Sequence, residues 1–344
     1  MMGLDERKKK VLAAIVNDYV FTAEPVGSRT IARKYNLGVS PATIRNEMAD
    51  LEELGYIEQP HTSAGRIPSN RGYRYYVDCL MERYCLTLQE REYIQERFAQ
   101  KMNEIEDLIN RSTNLLSLMA HQTAVILAPS VGRSTFHRIQ LLLLEPTKAL
   151  MVLVTNARAV EHQVLDIHPG ITEHDLERVS RVLNSKLKGL ALEQLRQDTF
   201  DEILSELSFH KKLAGTVLEV LEHLTSDYGG DNRVFLGGTL NILNQPEFKD
   251  IAKIKNLLAI LEEGKVLRNL LEHPGNVGLN IRIGGENNHE GISGCSLVTS
   301  TYQLDGQLLG TVGLIGPTRM DYAKAISLVE FVAAALSRAI KQMI

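Results

Sequence analysis

The sequence predicts a multidomain α+β protein: a small helical unit with one hairpin, then an α+β body interrupted by a mainly helical insertion. Three observations carry this. The chain has 344 residues, more than one domain of ordinary size holds. Up to about Met81, apolar residues recur at helical spacing and are punctuated by Ser, Pro and Gly end signals. From Thr123 the period shifts to short β-rich runs, turns Leu-rich and helical between about Thr199 and Pro274, and returns to strands at Gly278.

Val11, Leu12, Ile15, Val16 and Tyr19 give the first helix an apolar face. Pro25 and Gly27 end the connection that follows, and Ser28 is expected to cap a short second helix carrying Ile31 and Tyr35. The stretch Asn36 to Val39 forms a tight turn. Ser40-Pro41 then combines a side-chain cap with a residue whose missing N–H costs nothing at the first helical position. The third helix runs to about Leu54, with Gly55 as the residue after its cap. Tyr56 to Gln59 suits a strand, residues Pro60 to Gly65 a loop tip, and Arg66-Ile67 the returning strand. Tyr73, Tyr76, Val77, Leu80 and Met81 mark a closing helix. This order is that of a winged helix-turn-helix.

Thr87 and Glu90 form a capping-box pair ahead of a connector helix, expected to break near Asn110 to Thr113. Thr123 to Leu127, Arg138 to Leu144, Ala149 to Thr155 and Val160 to Asp166 read as meandering strands. Thr172 opens a helix with a staple from Ile171 to Leu176 and a stop at Gly189. Later strands are expected at Gly278 to Ile283, Cys295 to Tyr302 and Leu308 to Ile315, and a last helix carries Tyr322, Ile326, Val329, Ala333, Leu336 and Ile340.

The composition, 44% hydrophobic and 23% charged, is that of an ordinary globular protein with ample core. A net charge of −4 excludes a wholly basic nucleic-acid coat. The charge is uneven: through Tyr75 there are 11 Lys and Arg against 9 Asp and Glu, and beyond it 27 against 33. Cys79, Cys85 and Cys295, with no CxxC, argue against a disulfide scaffold or cysteine zinc site and fit a reducing, cytoplasmic setting. The opening MMGLDERKKK lacks the apolar stretch of a signal peptide, and no apolar run is long enough to span a bilayer. GxGxxG, Walker, HExxH and GxSxG signatures are all missing, so no catalytic residue, cofactor or metal is expected. His162, His168 and His174 read as surface or loop residues, and the run Gly284 to Glu290 as a polar loop.

The third helix is the sharpest functional feature. With Ile44 at the centre of its buried face, Met48 and Leu51 fall beside it at about 100° per residue. Ala42, Asn46, Ala49 and Glu53 then face away, with Thr43 and Arg45 on the flanks. Two alanines allow close approach to a groove, Asn pairs bidentately with adenine, and Arg with guanine. N–H groups around Ser40 to Thr43 suit a backbone phosphate. The candidate recognition residues are therefore Ser40, Ala42, Thr43, Arg45, Asn46 and Ala49. The hairpin tip adds wing candidates His61, Thr62, Ser63 and Arg66, and Arg29 and Arg71 are candidates for phosphate contact.

The runs Val39 to Gly55 (VSPATIRNEMADLEELG), Pro60 to Pro68 (PHTSAGRIP), Gly72 to Asp78 (GYRYYVD) and Gly310 to Tyr322 (GTVGLIGPTRMDY) closely resemble the HrcA family of bacterial heat-inducible transcription repressors. The resemblance implies a winged-helix DNA-binding domain and a GAF-like domain split by an inserted dimerising domain. The expected boundaries are 1–85 for the winged helix, 86–122 for a helical connector, 123–195 and 275–344 for the two GAF-like parts, and 196–274 for the insertion. It also implies repression of chaperone operons by a homodimer on an inverted-repeat double-stranded DNA operator, assisted by a GroEL-type chaperonin, with no membrane partner and no enzymatic activity. A small-molecule-responsive regulator, sensing through the GAF-like domain, is the alternative.

Overall fold

The computed structural model describes residues 4–61, 64–99, 105–128, 135–155, 160–190, 197–225, 234–248, 251–272 and 277–343. Helix α1 (Glu6–Thr22) starts at Asp5, whose carboxylate accepts the Lys8 N–H at 2.8 Å. It buries Val11, Leu12, Ile15 and Val16 at the expected spacing. Helix α2 (Ser28–Lys34) begins one residue earlier than a Ser28 cap requires. Gly27 takes the cap position, and Ser28 is buried in the first turn. The cause is an antiparallel bridge between Val26 and Arg66, which fixes how the chain enters the helix.

Helix α3 (Pro41–Glu53) has both end signals read from its sequence. Ser40 Oγ accepts the Thr43 N–H at 3.1 Å, and Pro41 stands at the first helical position. At the other end Gly55, at φ +75°, lets its own N–H reach Glu52 O and the Tyr56 N–H reach Leu51 O, both at 2.9 Å. Strands β1 (Ile57–Glu58) and β2 (Ile67–Pro68) form the hairpin. Helix α4 (Asn70–Tyr75), capped by Ser69 Oγ, runs into a π turn over Tyr76–Leu80.

Helix α5 (Leu88–Ala99) carries the expected Thr87–Glu90 capping pair. Helix α6 (Ile105–Ala120) is continuous through residues 110–113, where a break was expected. The Ser112 and Thr113 hydroxyls donate to Leu108 O and Ile109 O one turn back, so these polar residues sit buried without interrupting the helix. Strand β3 (Thr123–Leu127) follows and is buried throughout.

The chain then forms a second compact unit, residues 128–233. Strands β4 (Phe136–Glu145), β5 (Lys148–Thr155) and β6 (Val160–Asp166) make an antiparallel meander. Helices α7 (Glu173–Leu187), α8 (Gln197–Glu206) and α9 (Lys211–Thr225) complete it. One core joins Ile139, Met151 and Leu153 of the sheet to Leu183, Ile203 and Val217 of the helices.

The first unit resumes with β7 (Val234–Gly237), α10 (Ile251–Glu262), α11 (Gly264–Leu271), β8 (Leu279–Ile283), β9 (Cys295–Leu304), β10 (Gln307–Pro317) and α12 (Tyr322–Met343). Its antiparallel sheet has the order β7-β3-β10-β9-β8. Helices α10 and α11 pack Leu257, Leu267 and Leu270 against Val125, Leu297 and Ile315. Helix α12 packs on β9, β10 and α6.

The chain divides into residues 1–127 with 234–343 and residues 128–233, lines that run across the expected spans 123–195, 196–274 and 275–344. Among the described residues, strands 136–166 pair with one another and with no other strand, and α8 and α9 share their core. Residues 234–271 belong with the five-stranded sheet, because β7 pairs with β3 and the two following helices cover it. The segments expected as 1–85 and 86–122 cluster with that sheet in the same unit. Short alternating strands carry no label for the sheet they join; long-range pairing decides it. Among the described residues no helix is long and apolar enough to cross a membrane.

Candidate nucleic-acid interface

Helix α3 buries Ile44, Glu47, Met48 and Leu51 and exposes Ala42, Arg45, Asn46, Ala49 and Glu53. Of the candidate residues, the structure brings Ala42, Arg45, Asn46 and Ala49 onto one open face, with Ser40 exposed at its head and Thr43 half-buried. Among the described residues, the Arg45 and Asn46 side chains have no intrachain hydrogen-bond or ion-pair partner. Two small side chains flank two free, reach-capable polar ones, the composition that close approach to a base edge needs.

The helix's opening turn is more committed. Ser40 Oγ takes the Thr43 N–H and lies 3.0 Å from the Thr43 hydroxyl. Pro41 has no N–H, so the Ala42 amide is the first-turn donor left for an outside acceptor.

The back of α3 is held by charge. Buried Glu47 receives Lys8 Nζ at 2.9 Å and Arg7 Nη1 at 3.2 Å, and the same ammonium reaches Asp50 at 3.0 Å and Asp5 at 2.9 Å. The hydrogen bonds it donates, first to Glu47, then to Asp5 and Asp50, hold the Lys8 ammonium well above the ordinary lysine range. The sequence reading missed this pair: a glutamate on the inner face of a helix is explained only by a cation arriving from α1, a contact no local spacing reveals.

The remaining candidates divide. His61 is exposed at the hairpin tip, and Gln59 Nε2 donates to Ala64 O at 3.1 Å across the loop. Thr62 and Ser63 lie outside the described residues. Arg66 is not a free finger: its Nε and Nη2 reach Glu52 Oε2 of α3 at 2.9 and 2.8 Å, binding the hairpin to that helix. Arg71 donates to Leu54 O at 2.9 Å and stacks 4.6 Å above the Tyr56 ring, so it closes the C-terminal end of α3. Arg29 is exposed. Lys34 pairs with buried Asp18 at 2.6 Å.

Comparison with known proteins places the chain in a family. Residues 106–326 match the family model described as HrcA protein C terminal domain. The chain is similar to proteins named heat-inducible transcription repressor HrcA. It is 53% identical over 343 residues to that of Moorella thermoacetica, covering 99% of both chains. The Desulfitobacterium hafniense protein is 49% identical over 337 residues, covering 98% of this chain and 97% of that one. The Bacillus pumilus protein is 39% identical over 340 residues, covering 99% of both. Among solved structures, a crystal structure of a hypothetical protein superposes with a TM-score of 0.63 at 24% identity, covering 99% of this chain and 100% of that one, a likeness of fold. A family match across most of the body, with relatives this similar along the whole length, makes this chain a member of the HrcA family.

Proposed function

We infer that this chain is a heat-inducible transcription repressor that represses heat-shock genes by binding operator DNA. The observation that carries the DNA-reading assignment is the open face of α3, with Arg45 and Asn46 unpaired between Ala42 and Ala49. In this reading, α1 to α4 with the β1–β2 hairpin act as a winged helix-turn-helix. Ser40, Ala42, Thr43, Arg45, Asn46 and Ala49 enter the major groove, and His61, Thr62 and Ser63 contact backbone from the wing. Arg29 supplies a phosphate contact. Arg66 and Arg71 hold the wing and the helix end in shape, and reach phosphate only by leaving Glu52 and Leu54 O.

The five-stranded antiparallel sheet with helices on both faces supports a GAF-like body. Two copies of the chain reading an inverted repeat place their recognition helices about 34 Å apart, one DNA turn. The outer face of the β4–β6 meander supports the inserted unit as the dimerising element: Leu142, Leu150 and Val164 align across the three strands. Leu142 and Val164 there are 43% and 49% exposed, an apolar row that a second copy covers. A GroEL-type chaperonin maintains the active fraction, and heat lowers it.

The test is a binding titration with an inverted-repeat duplex selected from a randomised pool by the wild-type chain. Arg45→Ala or Asn46→Ala weakens binding by about 1–3 kcal/mol and relaxes preference at individual bases. Arg29→Ala weakens all sequences evenly and flattens the salt dependence by about one unit of slope. Equal, sequence-blind losses for all three variants overturn the assignment of roles. Repeating the titration across temperature, with and without chaperonin, tests the heat response: binding indifferent to both removes it.

A further inference from the structure

Two of the strings that mark this chain most distinctly, residues 72–78 and 310–322, take no part in the DNA-reading face. They meet the rest of the first unit at two separate places, each built around an arginine. Arg74, on α4, sends Nε and Nη2 to the two carboxylate oxygens of Glu286, Nη2 also to Ile281 O on edge strand β8, and Nη1 to Asp78 at 3.2 Å. Arg319, in the loop between β10 and α12, reaches the other end of the head, the segment from α1 to α4 with its hairpin. Its Nη1 donates to Val20 O at 2.5 Å, a carbonyl in the last turn of α1 left over by the helix. Its Nε and Nη2 are held by Glu247 Oε1 at 2.5 Å and Gln245 Oε1 at 2.9 Å. Between these points the buried rings of Tyr73 and Tyr322 lie 5.9 Å apart.

Both grips act on helices that hold α3. Helix α1 holds it from behind through Lys8 and Glu47. Helix α4 holds its C-terminal end, because Ser69 Oγ donates to Gly55 O at 2.7 Å and Arg71 to Leu54 O. One point of attachment lets a small domain pivot; two, on different helices, remove the pivot. Neither grip touches Ala42, Arg45, Asn46 or Ala49, which remain exposed with the head docked. The contact therefore orients the reading face and does not mask it.

We propose that Arg74 with Glu286, and Arg319 with Glu247 and Gln245, form a two-point clamp that fixes the angle of the recognition helix on its body and so sets the half-site spacing the dimer accepts. These are positioning residues; none touches a base. The inference rests on the operator reading above. It adds that spacing discrimination resides in this contact, separately from base discrimination on α3.

The experiment uses the full chain and three duplexes: the selected inverted repeat, the same repeat with about five base pairs inserted between half-sites to turn them to opposite faces, and one half-site alone. Wild-type protein favours the first over the second. In Arg319→Ala and in Arg74→Ala that preference falls about tenfold, as a freed head recovers the misphased site at the expense of the phased one, while half-site affinity stays within about twofold. The charge exchange Arg74→Glu with Glu286→Arg restores part of the spacing preference, which a merely damaged fold does not do. Glu286→Gln, which keeps shape and hydrogen bonding, gives an intermediate preference and covers the case in which an alanine variant does not fold. An unchanged preference in the folded variants overturns the clamp and leaves the operator reading standing. So does a loss of equal size on half-site and full repeat. A wild-type chain indifferent to half-site sequence overturns the operator reading, and the spacing role with it.

Discussion

Gly72 is the position where one added methyl group has the most readable consequence. It lies in the first turn of α4, directly above the chain that links α3 to the hairpin. A Cβ built there sits 2.0 Å from Tyr56 O and 3.1 Å from the Tyr56 carbonyl carbon. An ordinary carbon–oxygen contact is about 3.3 Å or more, so α4 or the hairpin must move by roughly 1.3 Å. The obstructing atom is backbone, and it already accepts the Ser69 N–H at 3.1 Å. Relief therefore costs about 1–3 kcal/mol of overpacking and about 1 kcal/mol for that hydrogen bond. The better helix propensity of alanine returns about 1 kcal/mol. The net is about 1–3 kcal/mol, confined to the head.

Amide hydrogen exchange resolves such a local loss, where a global melt of a chain with more than one unit does not. In Gly72→Ala, protection across α3 and the hairpin falls by about 5- to 150-fold, while β4 to β6 are unchanged. Gly215→Ala is the control of opposite sign. That glycine is inside α9, and nothing lies within 4 Å of its added Cβ, so protection of the second unit rises by up to about fivefold. Head protection within about twofold of wild type in Gly72→Ala refutes the reasoning, as does a loss in Gly215→Ala.

Three further outcomes follow from charge and burial. Lys8→Met leaves Glu47, whose side chain is 11% exposed, facing only the 55% exposed Arg7; it destabilises the head by about 1–3 kcal/mol, whereas Lys8→Met with Glu47→Met comes within about 1 kcal/mol of wild type, both read by urea titration of α3 exchange. Burial raises the Glu286 carboxyl, but hydrogen bonding to Arg74 and to the Ile283 N–H and the Arg74 charge outweigh it and hold the group below the ordinary glutamate range. A depressed folded value means that its stabilisation is complete above the unfolded value and disappears as pH falls through the folded one. Exchange protection of β8 and α4 accordingly drops on acidification below about pH 4, and Glu286→Gln flattens that dependence. Cys79 and Cys85 are exposed, while Cys295 is 2% exposed with its thiol pushed up by burial to about 12. A chromogenic disulfide reagent at neutral pH modifies the first two in the folded protein and Cys295 only after denaturation.

What the sequence revealed, and what it hid, divides along the range of the interactions concerned. The face of α3 is set by a 3.6-residue period acting within one helix, so Ile44, Met48 and Leu51 inward and Ala42, Asn46 and Ala49 outward were legible from spacing alone. Its ends were legible too, since Ser40, Pro41 and Gly55 act on amides no more than four residues away. Arg66 and Arg71 were harder. A long cation near a binding surface turns toward whichever acceptor is nearest, and here those are Glu52 and Leu54 O, brought close by the hairpin and by α4. The clamp was invisible for the same reason at greater range: Arg74 and Glu286 lie 212 positions apart. The division into units turns on pairing. Residues 138–166 and 278–315 have the same alternating character, and nothing local states that Leu127 pairs with Thr311 while Leu142 pairs with Leu150.

The pairing of β3 with β10 imposes an order on synthesis. Strand β3 is complete at Leu127, yet its partner β10 begins at Gln307, about 180 residues later, or roughly 10–40 s of translation. Its other partner, β7, begins at Val234, so the second unit emerges in full before either edge of β3 is satisfied. Through that interval Thr-Ala-Val-Ile-Leu, apolar along both faces, waits with both backbone edges open. A nascent chain arranged this way carries an unpaired strand, an aggregation hazard in kind, until its last third appears.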